Sequence, residues 1–259
     1  MRRFLVEDIT PSMDRLTITG KEARYINRIL RMKRGQELII LDGKGRSFES
    51  TIEKVSHKEV TVEVKRRLPP PPVSPIEISL CQALIKSHAM DYLIQKVTEL
   101  GVDSIHPFFS ERTVIKLKST HIAAKMDRWI EIIKSACRQC NRAALPSLET
   151  PLPFEQIIAH TPEKKTLRIL LWEDEDRTDL KKILKSTSPL PHVYAVVGPE
   201  GGFTPSEINL ARESGFHILS LGDRILRAET AAVSLVSIIQ YEWGDLSLRD
   251  EIKNPLLIN

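Results

Sequence analysis

The sequence predicts a small β-barrel domain followed by a larger α/β domain built on a parallel sheet. A run of prolines within residues 68–75 marks the boundary, because consecutive prolines cannot donate backbone hydrogen bonds and favour an extended spacer. Short strand-like segments dominate before this run, whereas strand-like and helix-like segments alternate after it. We therefore expect a first domain of residues 1–72 and a second of residues 73–259.

The first region contains several strand-like runs and one helix-like run. Two of the strands flank the glycine-containing residues 43–46 and predict a β-hairpin, and residues 59–64 alternate polar and apolar side chains as a strand does. Thr19 and Glu22 have the spacing of a capping box, which predicts that a helix begins there. The apolar face of this helix is expected to contain Ala23, Ile26, Ile29, Leu30 and Met32. Its other side carries the basic residues Arg24, Arg28, Arg31, Lys33 and Arg34.

The second region alternates between the two kinds of element. Strands are expected over residues 76–84, 102–109, 167–172, 192–197 and 217–221, and helices over residues 87–100, 120–140, 204–215 and 229–243. Thr204 followed by Pro205 and Glu207 predicts the start of one of these helices. Such alternation is typical of a parallel sheet covered by helices on both faces.

Charge is distributed unevenly along the chain. The net charge is +4, but residues 1–72 alone hold 16 Lys+Arg and 10 Asp+Glu, a net charge of +6. A basic domain of this kind favours a polyanionic partner such as RNA. The alternative is that these side chains only solvate the surface of a small domain.

Composition excludes several other classes. No apolar run approaches the roughly 20 residues that span a bilayer, and the N-terminus lacks the apolar core of a signal peptide. The three cysteines are an odd and sparse set, so a disulfide framework is not expected. Cys137 and Cys140 have the CxxC spacing but lie in a helical pattern, so metal ligands are not expected. We expect Cys81, Cys137 and Cys140 to be buried and to behave as small apolar residues, which fits a reducing cytoplasm.

Two glycine-bearing segments are the strongest functional signal. Residues 198–203 (GPEGGF) and 221–231 (LGDRILRAETA) each follow a strand-like run and precede a helix-like run. Loops at the carboxyl ends of parallel strands are where small ligands bind, and glycine lets the backbone approach them closely. Each glycine alone could equally serve a turn. The sequence lacks the GxGxxG, GxxxxGK[ST], HExxH and GxSxG motifs, so dinucleotide, P-loop, zinc-protease and α/β-hydrolase chemistry are not indicated.

Both segments resemble the cofactor loops of the RsmE family of SPOUT methyltransferases. The resemblance extends to Arg3-Phe4, to residues 96–101 (KVTELG) and to residues 241–246 (YEWGDL), and it covers nearly the whole chain. It implies a SPOUT-type parallel sheet with a C-terminal trefoil knot, preceded by a PUA-like RNA-binding domain. It further implies a cytoplasmic homodimer, paired through its last helix, that uses S-adenosylmethionine to methylate N3 of a uridine in small-subunit (16S) ribosomal RNA.

The resemblance assigns a cofactor role to positions in and beside the two loops. These are Leu171, Gly198, Pro199, Gly201, Gly202, Leu221, Gly222, Ile225, Leu226 and Thr230, with Trp172 as a further neighbour of the adenine. No metal is expected.

Catalysis requires loss of the proton on uridine N3 and stabilisation of the resulting anion. Arg227 is the candidate for stabilising that charge, because a guanidinium stays charged and offers several donors. Glu229 or Glu200 would accept the proton or orient the arginine, and Thr230 could donate to a ring carbonyl. The alternative is that Arg227 and Glu229 form an ordinary ion pair at the start of a helix.

Arg138 and Arg142, near the end of the long helix, are candidate phosphate contacts, with an exposed helix face as the alternative. Residues 140–143 (CNRA) depart in part from the family's usual segment there. Two other functions remain open: a SPOUT methyltransferase acting on transfer RNA, and a ribosome-assembly factor that binds RNA without catalysis.

Overall fold

A computed structural model describes residues 1–6, 9, 14–70, 74–114, 119–160, 165–175 and 178–246. The chain divides into two compact units, one of residues 1–72 and 131–145, the other of residues 73–130 and 146–259. The sequence analysis assigned residues 131–145 to the second domain, because they continue a helix that begins there. Residues 71–73 of the proline-rich spacer lie outside the described residues.

The first unit is built on a five-stranded sheet. Its strands are β1 (Arg2–Leu5), β2 (Arg15–Ile18), β3 (Glu37–Leu41), β4 (Ser47–Val55) and β5 (Val60–Arg67), in the order β1-β3-β4-β5-β2. Only β1 and β3 are parallel. The predicted hairpin is confirmed, with β3 and β4 antiparallel. Pairing between β1 and β2, which would close a barrel, is not seen in these described strands.

The helix of the first unit differs from the predicted one. Helix α1 (Gly20–Arg24) continues as a π-helical turn over Tyr25–Ile29, and the Thr19 side chain makes no capping hydrogen bond. The predicted capping box is therefore wrong. The wider turn also changes which residues face inward, so that Ile26 is buried while Ile29 is 69% exposed.

The second unit contains a wholly parallel sheet, as predicted. Its strands are β6 (Glu77–Ala83), β7 (Ser104–Phe109), β8 (Ser147–Leu148), β9 (Leu152–Pro153), β10 (Thr166–Leu171), β11 (His192–Val197) and β12 (His217–Leu219). The order is β12-β10-β11-β6-β7-β8, with β9 also paired to β7. All six residues of β11 are buried, as expected for a central strand covered on both faces.

The remaining helices are α2 (Ser87–Glu99), α3 (Ser119–Cys140), α4 (Phe154–Ala159), α5 (Leu180–Ser186), α6 (Pro205–Glu213) and α7 (Ala228–Glu242). The short helices α4 and α5 were not anticipated. The start of α6 is confirmed as a capping box, with Thr204 Oγ1 accepting from the Glu207 backbone and Glu207 Oε2 accepting from the Thr204 backbone. None of the described helices is long and apolar enough to cross a membrane.

The cysteines follow the prediction in part. Cys81 and Cys137 are buried, whereas Cys140 is only partly buried. Burial raises the pKa of the Cys81 thiol to about 12, so this thiol stays protonated and unreactive. Within the described residues, no group of three or more histidine, cysteine or acidic side chains is placed to hold a metal ion.

Candidate functional site

Four neighbouring parallel strands of the second unit end at the same level. Leu171 of β10 lies opposite Val197 of β11 and Leu219 of β12, and Val197 lies opposite Gln82 of β6. The segments that follow these strands therefore meet at one edge of the sheet. This is the edge at which open α/β sheets bind ligands.

A cavity of about 890 Å³ opens at this edge. Its walls are the start of α2, the segment after β10, the loop after β11 and the loop between β12 and α7. The lining residues are Lys86, His88, Ala89, Leu171, Trp172, Glu173, Asp174, Glu175, Val197, Gly198, Pro199, Glu200, Gly202, Ser220, Leu221, Gly222, Asp223, Arg224, Ile225, Leu226, Arg227, Ala228, Glu229 and Ala231.

Buried side chains support the loop after β11. The fully buried Gln82 donates from Nε2 to the carbonyl oxygens of Gly198 (3.2 Å) and Ala83 (3.0 Å). A Cβ atom on Gly198 would lie 3.0 Å from the ring of Phe203, which is itself buried among other aromatic rings. A larger residue at position 198 would therefore require the loop or the Phe203 ring to shift by a few tenths of an ångström.

Glu200 links this loop to helix α2. Its Oε1 accepts a hydrogen bond of 3.0 Å from the backbone N–H of Lys86, the residue that precedes the first turn of α2. A carboxylate at a helix N-terminus is stabilised by the free N–H groups and the dipole there. The Glu200 carboxylate is thus placed to fix two walls of the cavity relative to each other.

The loop between β12 and α7 is anchored at both ends. Ser220 N–H donates to the Thr178 carbonyl (3.1 Å), and the Arg227 carbonyl accepts from Ala231 N–H (2.8 Å) in the first turn of α7. Between these points Gly222 has φ +95°, and Ile225 is 87% exposed. The loop therefore presents apolar side chains and accessible backbone to the cavity.

The charge of the lining is predominantly acidic. Its described residues include six carboxylates and three cationic side chains, the latter being Lys86, Arg224 and Arg227. Glu175 is ion-paired with Arg212 at 3.1 Å. No ion pair joins Arg227 to Glu229 among the described contacts, so the alternative of a simple surface pair does not hold here. A cavity of this charge favours a positively charged ligand.

The structure brings most of the predicted site residues together. All three catalytic candidates and eight of the ten cofactor candidates line the cavity. Gly201 and Thr230 do not. The Gly201 carbonyl instead accepts from Arg112 Nη1 (3.1 Å), and Thr230 is exposed in the first turn of α7.

Sequence reasoning missed two walls of the cavity. One is the start of α2, with Lys86, His88 and Ala89, and the other is the acidic segment 173–175. The signal for both was available, since each follows the carboxyl end of a predicted parallel strand. The sequence did not indicate the strand order, in which β6 and β10 are the neighbours of β11.

The predicted RNA-binding residues all belong to the first unit. The basic residues of α1 and the segment after it, Arg24, Arg28, Arg31, Lys33 and Arg34, are exposed. Arg28 Nη2 lies 2.7 Å from His57 Nε2. Arg138 forms an ion pair with Glu22, and Arg142 is partly buried. These last two are therefore less available to a phosphate than the first five.

Comparison with known proteins identifies the family. Residues 72–240 match the RNA methyltransferase domain and residues 18–65 match the RNA methyltransferase PUA domain. Ribosomal RNA small subunit methyltransferase E of Synechocystis is 33% identical over 86% of this chain and 72% of its own length. The protein of that name from Buchnera aphidicola (Acyrthosiphon pisum) is 30% identical over 94% of both chains.

Solved structures agree with this assignment. Ribosomal RNA small subunit methyltransferase E from Neisseria gonorrhoeae, bound to S-adenosyl methionine, superimposes with a TM-score of 0.87 at 28% identity, over 95% of this chain and all of that one. A protein of Legionella pneumophila solved with the cofactor SAM gives a TM-score of 0.86 at 33% identity, over 94% and 98% of the two chains. The chain therefore belongs to the ribosomal RNA small subunit methyltransferase E family.

Proposed function

We propose that this protein is an enzyme that transfers a methyl group from S-adenosylmethionine to N3 of a uridine in small-subunit (16S) ribosomal RNA. The observation that carries the proposal is that the two glycine-bearing loops, after β11 and between β12 and α7, line one cavity, where glycine leaves the backbone accessible. Family members with similar sequence and fold carry the same name, and one was solved with S-adenosyl methionine.

The cavity suits this cofactor. Its volume of about 890 Å³ falls within the roughly 300–1,000 Å³ of small-molecule sites. Carboxylates such as Glu173 and Asp174 can accept from the ribose hydroxyls or the α-ammonium group, and they favour a cationic ligand. Leu221, Ile225 and Leu226 can pack against the adenine. When bound, S-adenosylmethionine supplies an electrophilic methyl group carried on a positively charged sulfur.

Residues of this chain must activate the methyl acceptor, which is N3 of the uridine. Uridine N3 carries a proton and becomes nucleophilic when that proton leaves, with the negative charge spread over the two ring carbonyls. Arg227 lines the cavity at the start of α7, is exposed, and forms no ion pair with another described residue. We propose that it donates to the ring carbonyls and stabilises the anion.

Glu229 is our candidate for accepting the proton. It lines the cavity two residues after Arg227, in the first turn of α7. Glu200 is already engaged by the Lys86 backbone, which argues for a positioning role instead. A carboxylate that takes the N3 proton must lie within hydrogen-bond reach of it or of a bridging water.

RNA binding is proposed for the first unit, through the exposed basic residues of α1 and the turn that follows it. Residues 20–34 hold six basic residues and only one acidic residue, Glu22, which is paired with Arg138. Contacts of lysine and arginine with phosphates supply affinity that does not depend on sequence. We propose that residues 1–72 bind RNA and that residues 73–259 carry out the transfer.

We propose a cytoplasmic homodimer that pairs through α7. Six residues of this helix, Ala228, Ala232, Leu235, Val236, Ile239 and Gln240, are buried within the chain. Apolar side chains nevertheless remain exposed beside them, with Ile238 at 37%, Tyr241 at 64% and Leu246 at 48%. Light scattering should give twice the chain mass of 29.4 kDa, and a monomer at assay concentration would contradict this part of the proposal.

A trefoil knot is proposed for the end of the second unit. After β12, at the edge of the sheet, the chain returns so that α7 packs against the central strands β6 and β11. We propose that on this return the chain threads through the loops after β10 and β11. In single-molecule stretching between residues 74 and 246, a knot would leave the unfolded chain shorter than its contour length.

One experiment separates the proposed function from its alternatives. Parallel reactions contain the protein, methyl-labelled S-adenosylmethionine and one of three substrates, namely small ribosomal subunits, naked 16S RNA or bulk transfer RNA. The modified base is then mapped by mass spectrometry. We expect 3-methyluridine in the small-subunit RNA, and no label with the Arg227→Ala variant. Label in transfer RNA alone would favour the transfer-RNA enzyme. RNA binding without cofactor binding in calorimetry would favour the assembly factor.

A further inference from the structure

A second cavity, of about 230 Å³, lies in the first unit on the outer face of its sheet. Side chains alternate between the two faces of a strand. Phe4, Leu38 and Ile40 point into the core of the unit, and the intervening Arg3 and Ile39 line this cavity. Asn141 and Ala143, which follow helix α3, complete the wall.

The lining of the cavity combines apolar and polar side chains. Ile39 and Leu68 are partly exposed apolar residues, while Arg3, Ser47 and Asn141 provide a guanidinium, a hydroxyl and an amide. Asn141 adopts the left-handed conformation, with φ +64°. Apolar side chains together with hydrogen-bond donors and acceptors are suited to a nucleic-acid base.

Arg3 is the residue that indicates an anionic ligand. Its Nε has no contact with solvent and no hydrogen-bond partner among the described residues. A buried polar group without a partner is costly, and an arginine presents five donors in a planar fork that matches a phosphate. The nearby carboxylates are already paired, Asp42 with Arg46 and Glu49 with Arg66.

We infer that this cavity binds one unpaired nucleotide of the RNA substrate, with Arg3 on its phosphate and the base against Ile39 and Leu68. The volume is below the roughly 300–1,000 Å³ of sites for drug-sized ligands, which fits a single base. Proteins that read RNA sequence do so mainly on unpaired bases that can be turned out of the stack. The inference rests on the proposed function, because it assumes that the substrate is RNA.

The test compares RNA binding by the full-length protein and its Arg3→Met variant. Filter binding of a labelled transcript of small-subunit RNA is measured between 50 and 200 mM salt, concentrations over which phosphate contacts lose much of their affinity. We expect Arg3→Met to weaken binding by about tenfold and to reduce the salt slope by about one phosphate contact. Arg2→Met, which removes the exposed neighbouring charge, is the matched control and should have a smaller effect on affinity.

Further variants keep the inference testable if Arg3→Met does not fold. Arg3→Lys keeps the charge but loses the fork, and Asn141→Gly keeps the left-handed backbone but loses the amide. Both should weaken RNA binding while calorimetry shows unchanged affinity for S-adenosylmethionine. Unaltered RNA affinity and salt slope in these variants would overturn the inference. Arg3-dependent RNA binding by a protein that methylates no RNA would instead leave the inference intact and refute the proposed function.

Discussion

Gly202 and Glu173 are adjacent in the lining of the cavity, so close that a Cβ atom on Gly202 would overlap Oε1 of Glu173. Gly202 also has φ +68°, a conformation that residues with a side chain rarely adopt. Its N–H donates to the Pro199 carbonyl at 3.0 Å, which closes the turn of the loop. The glycine thus permits both the turn and the approach of a carboxylate that lines the cavity.

Gly202→Ala should therefore weaken the binding of S-adenosylmethionine. The left-handed conformation costs roughly 1–2 kcal/mol for a residue with a side chain, so the loop of the free variant should rearrange, and binding would have to reverse that change. The new methyl group would also shift the Glu173 carboxylate from its place in the cavity wall. We expect at least a tenfold higher Kd in calorimetry, equivalent to about 1.4 kcal/mol. Adding Glu173→Ala should recover part of the loss caused by the overlap.

The control for this prediction is Gly215→Ala. Gly215 has φ +80° and open space around it, and it ends helix α6 outside the cavity. This change should lower the free energy of unfolding by about 1 kcal/mol through backbone strain and leave cofactor affinity unchanged. Equal cofactor affinity in Gly202→Ala and the unmodified protein would contradict the role given to Gly202.

Arg227→Ala should reduce kcat on small-subunit RNA while preserving cofactor binding. Removing a group that stabilises developing charge typically costs on the order of 100-fold or more in rate. The measurements are single-turnover methyl transfer and calorimetry with S-adenosylmethionine. Arg224→Ala removes another cationic side chain from the same cavity and should reduce the rate much less. Full turnover by Arg227→Ala would show that a different residue stabilises the anion.

Substitution at Glu200 can separate a positioning role from a proton-transfer role. In Glu200→Gln the amide oxygen can still accept from the Lys86 N–H, but the side chain can no longer take up a proton. We expect Glu200→Gln to keep most of the activity and Glu200→Ala to lose it with a raised KM. Glu229→Gln, by contrast, should lower kcat. Inactivity of Glu200→Gln with intact cofactor binding would move the proton acceptor to Glu200.

The stability of the second unit should decrease in mild acid because of His106. Burial lowers the pKa of His106, an effect that Glu149 opposes and His160 and His192 reinforce. The unfolded chain therefore takes up a proton near pH 6.5 more readily than the folded chain. The stabilising contribution of the neutral ring is fully present above that pH and is lost as the pH falls below it.

Urea unfolding at pH 7.0 and pH 5.5 measures this dependence. His106→Gln should reduce the loss of unfolding free energy between the two pH values. Its neutral side chain can still bond to Ser104, whose Oγ lies 2.8 Å from His106 Nε2. His217→Gln, at an exposed position of β12, should leave the dependence unchanged. A pH dependence that is the same in His106→Gln as in the unmodified protein would assign it to other groups.

Most of the second unit could be predicted from the sequence because its signals are local. The buried run of β11, the capping box at Thr204 and the glycine at the end of α6 each act within a few residues. The prediction for α1 was wrong because the conformation there depends on packing rather than on local signals. The π-helical turn over Tyr25–Ile29 depends on which side chains the sheet of the first unit can bury, and Ile29 does not pack there although its spacing suggested it.

The alternation of strands and helices, the two glycine loops and the family resemblance that they carry can all be recognised from the sequence alone. Only the tertiary structure decided that β6 and β10 flank β11, and hence that Lys86, Glu173 and Arg227 line one cavity. It also decided that Gly201 faces Arg112 rather than the cavity. The physical reason is that helix caps and turns are fixed by neighbours in the chain, whereas strand order is fixed by packing between segments that are distant in the chain, such as β6 and β11.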